Sequence, residues 1–323
     1  MERLRAGSLG ALIALCAGCA SPLQGGPEPL APQERQCVAS GWQRADVQAA
    51  GLTRRLLWKG PKGAWSKGAI LVMHGGGGYH YHWCVANAAI IAPQVRFAEL
   101  AVSEGFGVLL LDSSDLPTDN EGRACGKVWD DEVRARPNLD LPFIGEVIGG
   151  LLPRLRPAGS RTEVFLTGLS SGGYMTLRAA TRFDDRIAAF APVSSGDPYG
   201  WFRVCRRGMT ARTTVHGVAY DRETRRMISE PGACRANAYP NERPWDSARP
   251  ARKPPFRFFH HRNDGIHDLS CADKARAQLL AHGYPEAPPL VLEGGRRSYE
   301  THLWQDEYSR PLLEFFASRL KAR

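Results

Sequence analysis

Ser170 lies within Gly168-Leu169-Ser170-Ser171-Gly172, where an apolar run (Glu163 to Thr167) meets a segment of helical spacing (Ser171 to Arg182). A hydroxyl held between a strand and a helix sits on a very tight turn, so the residues two before and two after it need minimal side chains. Gly168 and Gly172 meet that need. The helix starting there aims its N-terminus at the reacting centre and favours negative charge. A second run, His74-Gly75-Gly76-Gly77-Gly78, follows the apolar Gly68 to Met73. Glycines let a backbone approach closely, and preformed backbone N–H donors stabilise an oxyanion. The candidate donors are Ser171 and either Gly76 or Gly77. No Gly-Lys-Ser/Thr follows the run and it is not GxGxxG, so neither a phosphate loop nor a dinucleotide loop is indicated. Taken alone, each segment also reads as a plain glycine turn.

A serine hydroxyl is a poor nucleophile until an imidazole takes its proton, and a carboxylate must orient that imidazole. Asp264 ends His260-His261-Arg262-Asn263-Asp264, just beyond an apolar run at Phe256 to Phe259. His302 follows Leu290 to Leu292 and the pair Gly294-Gly295. Ser170, Asp264 and His302 are therefore the candidate catalytic set. Asp268 is the rival acid, whereas His260, His261 and His267 lie too near the acid segment to fit the chain order well. Tyr79, His80 and Tyr174 are candidate pocket residues. Trp201, Trp245 and Trp304 read either as an aromatic platform or as core. His80-Tyr81-His82 lacks a third metal ligand, and Asp112, Asp115, Asp119 and Glu121 lack the spacing of a calcium loop. No metal or cofactor is expected.

These residues need a frame. Apolar runs at Leu52 to Lys59, Gly68 to Met73, Phe106 to Leu111, Glu163 to Thr167, Ile187 to Val193, Phe256 to Phe259 and Leu290 to Leu292 predict strands. Pro93 to Ser103, Leu139 to Leu155, Ser171 to Arg182 and Trp304 to Leu320 predict helices. Apolar strands separated by helices indicate an α/β class, doubly wound, mostly parallel sheet covered on both faces. Ligands of such sheets sit at the carboxyl ends of the strands, where the polar and glycine-rich residues fall. Residues 197–255 break the alternation and read as a lid-like insertion or a surface excursion.

The chain has 323 residues, 43% hydrophobic and 23% charged, with a formal net charge of +9. That composition is globular and disfavours disorder or a coiled coil. The positive charge is spread out, with no basic helix or aromatic nucleic-acid motif beside it, so no nucleic-acid partner is expected. Arg3, Arg5 and Leu9 to Leu15 predict a signal peptide over residues 1–18. Cys16-Ala17-Gly18-Cys19 is similar to a lipobox, so Cys19 is the expected lipid attachment point and a membrane tether is expected. A plain secretory signal is the alternative. Residues 19–36 read as a flexible tether, and residues 37–323 as the folded domain. Six further cysteines (Cys37, Cys84, Cys125, Cys205, Cys234, Cys271) are expected to form disulfides in an oxidising envelope or extracellular compartment, with Cys205 to Cys234 the first guess.

With His74 to Gly77, Gly168 to Gly173 with Met175 and Thr176, His260 to Asp264 and Gly295 to Trp304 in view, the chain resembles the α/β-hydrolases. More narrowly it resembles the secreted polyhydroxybutyrate depolymerase and feruloyl esterase branch. It differs at Tyr174, where a small residue is common, and at His261, where glycine is common. The resemblance implies hydrolysis of short-chain, aromatic or polymeric esters through an acyl-enzyme on Ser170, with His302 as base, Asp264 orienting it and backbone donors at Ser171 and Gly76 or Gly77. The alternatives are a serine peptidase or amidase of the same fold, or a non-catalytic envelope binding protein.

Overall fold

A computed structural model describes residues 30–114, 116–117, 126–133, 136–199, 218–221, 226–229, 245 and 252–322. The expected signal peptide, Cys19, Cys125, Cys205, Cys234, Asp115, Asp119, Glu121 and Trp201 lie outside them, as does most of the insertion.

The first described element corrects the expected tether. Pro32–Ala39 is a helix, α1, so any tether ends before it. Proline suits the first turn, where its missing N–H has no partner to lose. Glu34 reaches back to accept the Ala31 N–H at 2.7 Å. The helix is fixed by a buried acid (Glu34) and a buried cysteine (Cys37) rather than by an apolar stripe. Composition therefore does not reveal it. Cys37 is joined to Cys84 across 47 residues, and Cys271 is disulfide-bonded as well.

Two strands follow: β1 (Gln43–Ala49) and β2 (Leu52–Lys59). Next come β3 (Ala69–Met73), α2 (Ala92–Ser103) and β4 (Gly107–Leu111). Helix α3 (Leu141–Glu146) runs through a π-helical turn, Val147–Leu151, into α4 (Leu152–Leu155). Then come β5 (Val164–Leu169), α5 (Ser171–Arg182) and β6 (Ala189–Val193). Strands β7 (Val218–Asp221) and β8 (Arg226–Ser229) pair as a hairpin within the insertion. The chain closes with β9 (Phe259–His261), α6 (Leu269–Ala281), β10 (Leu290–Leu292) and α7 (Asp306–Ala317).

The eight-stranded sheet has the order β1-β2-β4-β3-β5-β6-β9-β10. Strands β1 and β2 pair antiparallel with each other and β2 pairs antiparallel with β4, while every later pairing is parallel. Side chains alternate between two cores. Ile70 and Val72 of β3 join Phe97 of α2 and Tyr308, Leu312 and Phe316 of α7. Leu71 and Met73 join Phe143 and Ile144 of α3 and Met175 and Leu177 of α5. Full burial of each such side chain contributes about 1.5–3 kcal/mol. Both faces are thus covered, as the continuous apolar strands require. Trp304 packs edge-on against Trp83 at 4.9 Å in one core, so it is not part of a substrate platform. Among the described residues, no helix is long and apolar enough to cross a membrane.

The Cys37–Cys84 bond ties α1 to the turn after the glycine run. Closing a 47-residue loop removes unfolded-state entropy worth about 4 kcal/mol. A Cys37→Ala/Cys84→Ala double variant is expected to melt several degrees lower than the parent by calorimetry. An unchanged melting temperature would contradict this.

Candidate active site

Ser170 sits between β5 and α5 with φ 56° and ψ −119°, in the left-handed region that a non-glycine residue avoids. Such a conformation costs about 1–3 kcal/mol and persists only where its surroundings enforce it. They do so here. The Ser170 N–H donates to the Val193 carbonyl at 3.0 Å, and the Ser170 carbonyl accepts from Gly173 and Tyr174 at 2.8 and 3.0 Å. A Cβ on Gly172 would collide with the carbonyl oxygens of Met73 and His74, and one on Gly168 with the Gly172 carbonyl. A Cβ on Gly173 would meet Ser195 at 2.7 Å. The expected reason for glycine on both sides of the serine therefore holds atom by atom.

The glycine run lies beside this turn. A Cβ built on Gly75 would lie 3.6 Å from the Ser170 Cβ. The His74 ring fixes the run's entry. Its Nδ1 donates to the Gly75 carbonyl at 2.8 Å, which leaves Nε2 to accept the Ser113 N–H at 3.1 Å. Gly77 corrects one expectation, because its N–H is taken by the Lys127 carbonyl at 2.6 Å. Among the described residues, the N–H groups of Gly76 and Ser171 have no acceptor. Ser171 is itself pinned: its hydroxyl donates to Asp131 at 2.6 Å and accepts the Trp129 N–H at 3.1 Å. Trp129 also donates its indole N–H to the His74 carbonyl at 2.8 Å. The segment from Lys127 to Asp131 thus buttresses both the glycine loop and the start of α5. No periodicity or motif marks it in the sequence.

Asp264 and His302 come together as expected. The His302 Nδ1 lies 3.0 and 2.9 Å from the two Asp264 oxygens, and both residues are buried. Asp264 Oδ1 also accepts the N–H groups of Ile266 and His267 at 2.7 and 2.8 Å. Asp268 instead caps α6, accepting the Ser270 N–H at 3.0 Å and pairing with Arg297 at 2.8 Å. Those contacts give Asp268 a capping and ion-pairing role beside the acid.

The hydroxyl contact of Ser170 is with an imidazole that sequence order sets aside. Ser170 Oγ lies 3.5 Å from His267 Nε2, and His267 Nδ1 lies 3.4 Å from the Tyr174 hydroxyl. The His267 and His302 rings meet edge-on at 5.1 Å. His302 itself makes no hydrogen bond to Ser170 among the described residues. His260 donates from Nε2 to the His267 carbonyl at 2.8 Å, and its burial lowers its pKa, so it stays neutral. His261 accepts the Asn263 N–H at 3.0 Å.

The pocket expectations divide. Tyr79 is 38% exposed and stacks on Tyr81 at 4.9 Å. Tyr174 is buried against His267 rather than open to a pocket. His80 is a correction, because it lies in the interior between two carboxylates. Its Nε2 is 2.9 Å from Glu34 and its Nδ1 3.1 Å from Asp112, which also pairs with Lys127 at 2.7 Å. Burial alone would lower the His80 pKa, but Asp112 and Glu34 outweigh it and the value is raised. Burial would raise Glu34, but the bonds from His80 and Ala31 and the charges of His80 and Arg55 bring it down to about 2. Asp112, likewise opposed by burial, is held well below its ordinary value, chiefly by the charge of His80. Among the described residues, no cluster of three or more His, Cys, Asp or Glu side chains could hold a metal ion.

No family model matches the chain, and no curated protein matches it. Solved structures do. An acylaminoacyl peptidase from Pyrococcus horikoshii superposes with a TM-score of 0.53 at 16% identity, over 87% of this chain and 42% of its own. A thermostable esterase superposes with a TM-score of 0.52 at 14% identity, over 86% of this chain and 63% of its own. The chain therefore spans less than two thirds of the length of either.

The buried Glu34–His80–Asp112 group predicts an acid-side loss of stability. Glu34 has a lowered folded pKa, so its contribution is present above the ordinary value of 4.5 and is lost as pH falls toward about 2. His80 has a raised pKa, so its contribution is complete below 6.5 and declines as pH rises through the folded value. Chemical denaturation of wild type between pH 5 and pH 2 (values on the order of those pKa limits) is expected to show a steeper loss than in Glu34→Gln. Parallel pH slopes in the two proteins would contradict the assignment.

Proposed function

We propose that this chain, which has the α/β-hydrolase fold, is a serine-dependent hydrolase of carboxylic esters that works through an acyl-enzyme. The observation that carries the reading is the strained Ser170 turn, which lies beside the glycine run and next to N–H groups of Ser171 and Gly76 that have no acceptor among the described residues. Strain of this kind gathers at active sites because the surrounding structure must maintain it. Ser170 attacks the acyl carbon as its proton passes to His302, which Asp264 orients and stabilises as imidazolium. Catalytic hydrogen bonds to the base are commonly completed only with substrate bound, so the 3.5 Å contact of Ser170 with His267 does not exclude His302 as the base. The carbonyl oxygen becomes an oxyanion held by the Ser171 and Gly76 N–H groups at the start of α5, where the helix dipole adds to the attraction. His302 then returns the proton to the leaving alkoxide. Water repeats the sequence on the acyl-enzyme.

The sequence resemblance favours esters over amides, and the exposed Tyr79, stacked on the half-buried Tyr81 just after the glycine run, favours aromatic or polymeric acyl groups. Export, with Cys19 lipidated, is part of the same proposal. The Cys37–Cys84 disulfide supports it, since such bonds persist in oxidising compartments.

Ser170→Ala is expected to lower turnover of p-nitrophenyl esters by at least about 10³-fold while melting within a few degrees of wild type. Retained turnover would overturn the reading. Wild type is expected to hydrolyse p-nitrophenyl butyrate and methyl ferulate far faster than amino-acid p-nitroanilides. The opposite ranking would make the peptidase or amidase reading the better one.

A further inference from the structure

Resting on that reading, we propose that His267 is a further catalytic residue. It donates an N–H hydrogen bond to the Ser170 oxygen and stabilises that oxygen as the leaving group when the acyl-enzyme breaks down.

Three observations carry this. First, His267 is the imidazole in contact with the nucleophile, with Nε2 3.5 Å from Ser170 Oγ. Second, it is held there from both ends. Its main-chain N–H is bound by Asp264 Oδ1 at 2.8 Å, the same oxygen that lies 3.0 Å from His302 Nδ1. Its Nδ1 faces the Tyr174 hydroxyl at 3.4 Å, with the two rings edge-on at 5.3 Å. One carboxylate therefore anchors two imidazoles, one by its ring and the other by its backbone. Third, the proton inventory assigns the roles. A serine hydroxyl has one proton to give and two lone pairs to receive with. If the Asp264–His302 pair takes the proton, a second imidazole at the same oxygen is useful only as a donor. A phenol hydroxyl donating to Nδ1 leaves the proton of neutral imidazole on Nε2, the nitrogen that faces Ser170. Tyr174 is thus a positioning residue that sets the His267 tautomer.

The step balances without any further reactant. In deacylation, water attacks the acyl carbon, its proton moves to His302, and the carbonyl pair moves onto the oxyanion. Collapse breaks the bond between the acyl carbon and Oγ. Oγ keeps the bonding pair and takes the proton back from His302. The His267 N–H hydrogen-bonds to Oγ while that charge develops and is not transferred. The contribution falls chiefly on deacylation, where Oγ gains negative charge. During acylation Oγ loses charge and needs the donor less.

The experiment is stopped-flow hydrolysis of p-nitrophenyl butyrate by the purified full chain and its variants. His267→Leu is expected to give a burst of about one p-nitrophenolate per enzyme at a rate close to wild type, then a steady state slowed about 10–100-fold, somewhat less than loss of an oxyanion donor. His267→Gln, whose amide can donate, is expected to recover most of the steady-state rate. Tyr174→Phe keeps the ring but loses the hydroxyl, and is expected to give an intact burst with an intermediate slowing. Should His267→Leu not fold, Tyr174→Phe decides the matter. Steady-state rates within twofold of wild type in His267→Leu and Tyr174→Phe would overturn the proposal and leave His267 a packing residue. A burst abolished in His267→Leu as completely as in His302→Gln would overturn it too, by making His267 the proton acceptor. Neither result touches the serine reading, which fails separately if Ser170→Ala keeps its turnover.

Discussion

The lack of space between the end of β3 and the start of α5 constrains everything else. The Met73 and His74 carbonyls press so closely on residue 172 that only glycine fits. Helix α5 can therefore start against the sheet, and the residue before it is forced to a positive φ. That residue is a serine, and its hydroxyl is lifted to the carboxyl edge of the parallel strands. The same close approach brings the glycine run beside Ser170, so one steric fact places both the proposed nucleophile and the N–H groups proposed to hold the oxyanion. The strain of about 1–3 kcal/mol is small against two buried cores that meet across the sheet, each side chain contributing about as much.

Around this turn the structure keeps two polar systems apart. Asp264 gathers His302 and the His267 backbone on the side of β9 and β10. On the other side, buried Glu34 and His80 and half-buried Asp112 and Lys127 form a charged chain that ties α1 to the loop carrying the glycines. Lys127 contributes twice, through its ammonium on Asp112 and through its carbonyl on the Gly77 N–H. Removing one member of such a group costs more than the group contributes, because it leaves a charge buried without its partner. The glycine run is therefore stiffened by electrostatics as well as by backbone geometry, which an oxyanion site requires if it is not to reorganise during reaction.

Most strands were legible as apolar runs, although the run Phe256 to Phe259 overlaps β9 (Phe259–His261) at Phe259 alone. Leu52–Lys59, Leu290–Leu292 and helix Ser171–Arg182 have the limits that the sequence pattern predicts. Strand β1 is not legible, because QRADVQA buries only Val47 and Ala49 at the sheet edge. Helix α1 is hidden because its buried side chains are an acid and a cysteine. In the candidate site, motif and chain order single out the Ser170 turn and the Asp264–His302 pair that the structure brings together. His80 misleads because ion pairing, which no periodicity records, draws it inward. His267 misleads for a different reason. It lies three residues after Asp264, too near the acid segment to fit the chain order, yet the turn in which Asp264 accepts the His267 N–H places that ring against Ser170. One signal was available, the tyrosine at 174 where the resembled branch commonly has a small residue, since that side chain meets His267.

Reaction of the folded protein with a fluorophosphonate, followed by peptide mapping, tests the central claim most directly. The account predicts one phosphonyl group per chain, on Ser170, and none after denaturation. An unmodified Ser170, or stoichiometric modification elsewhere, would contradict it.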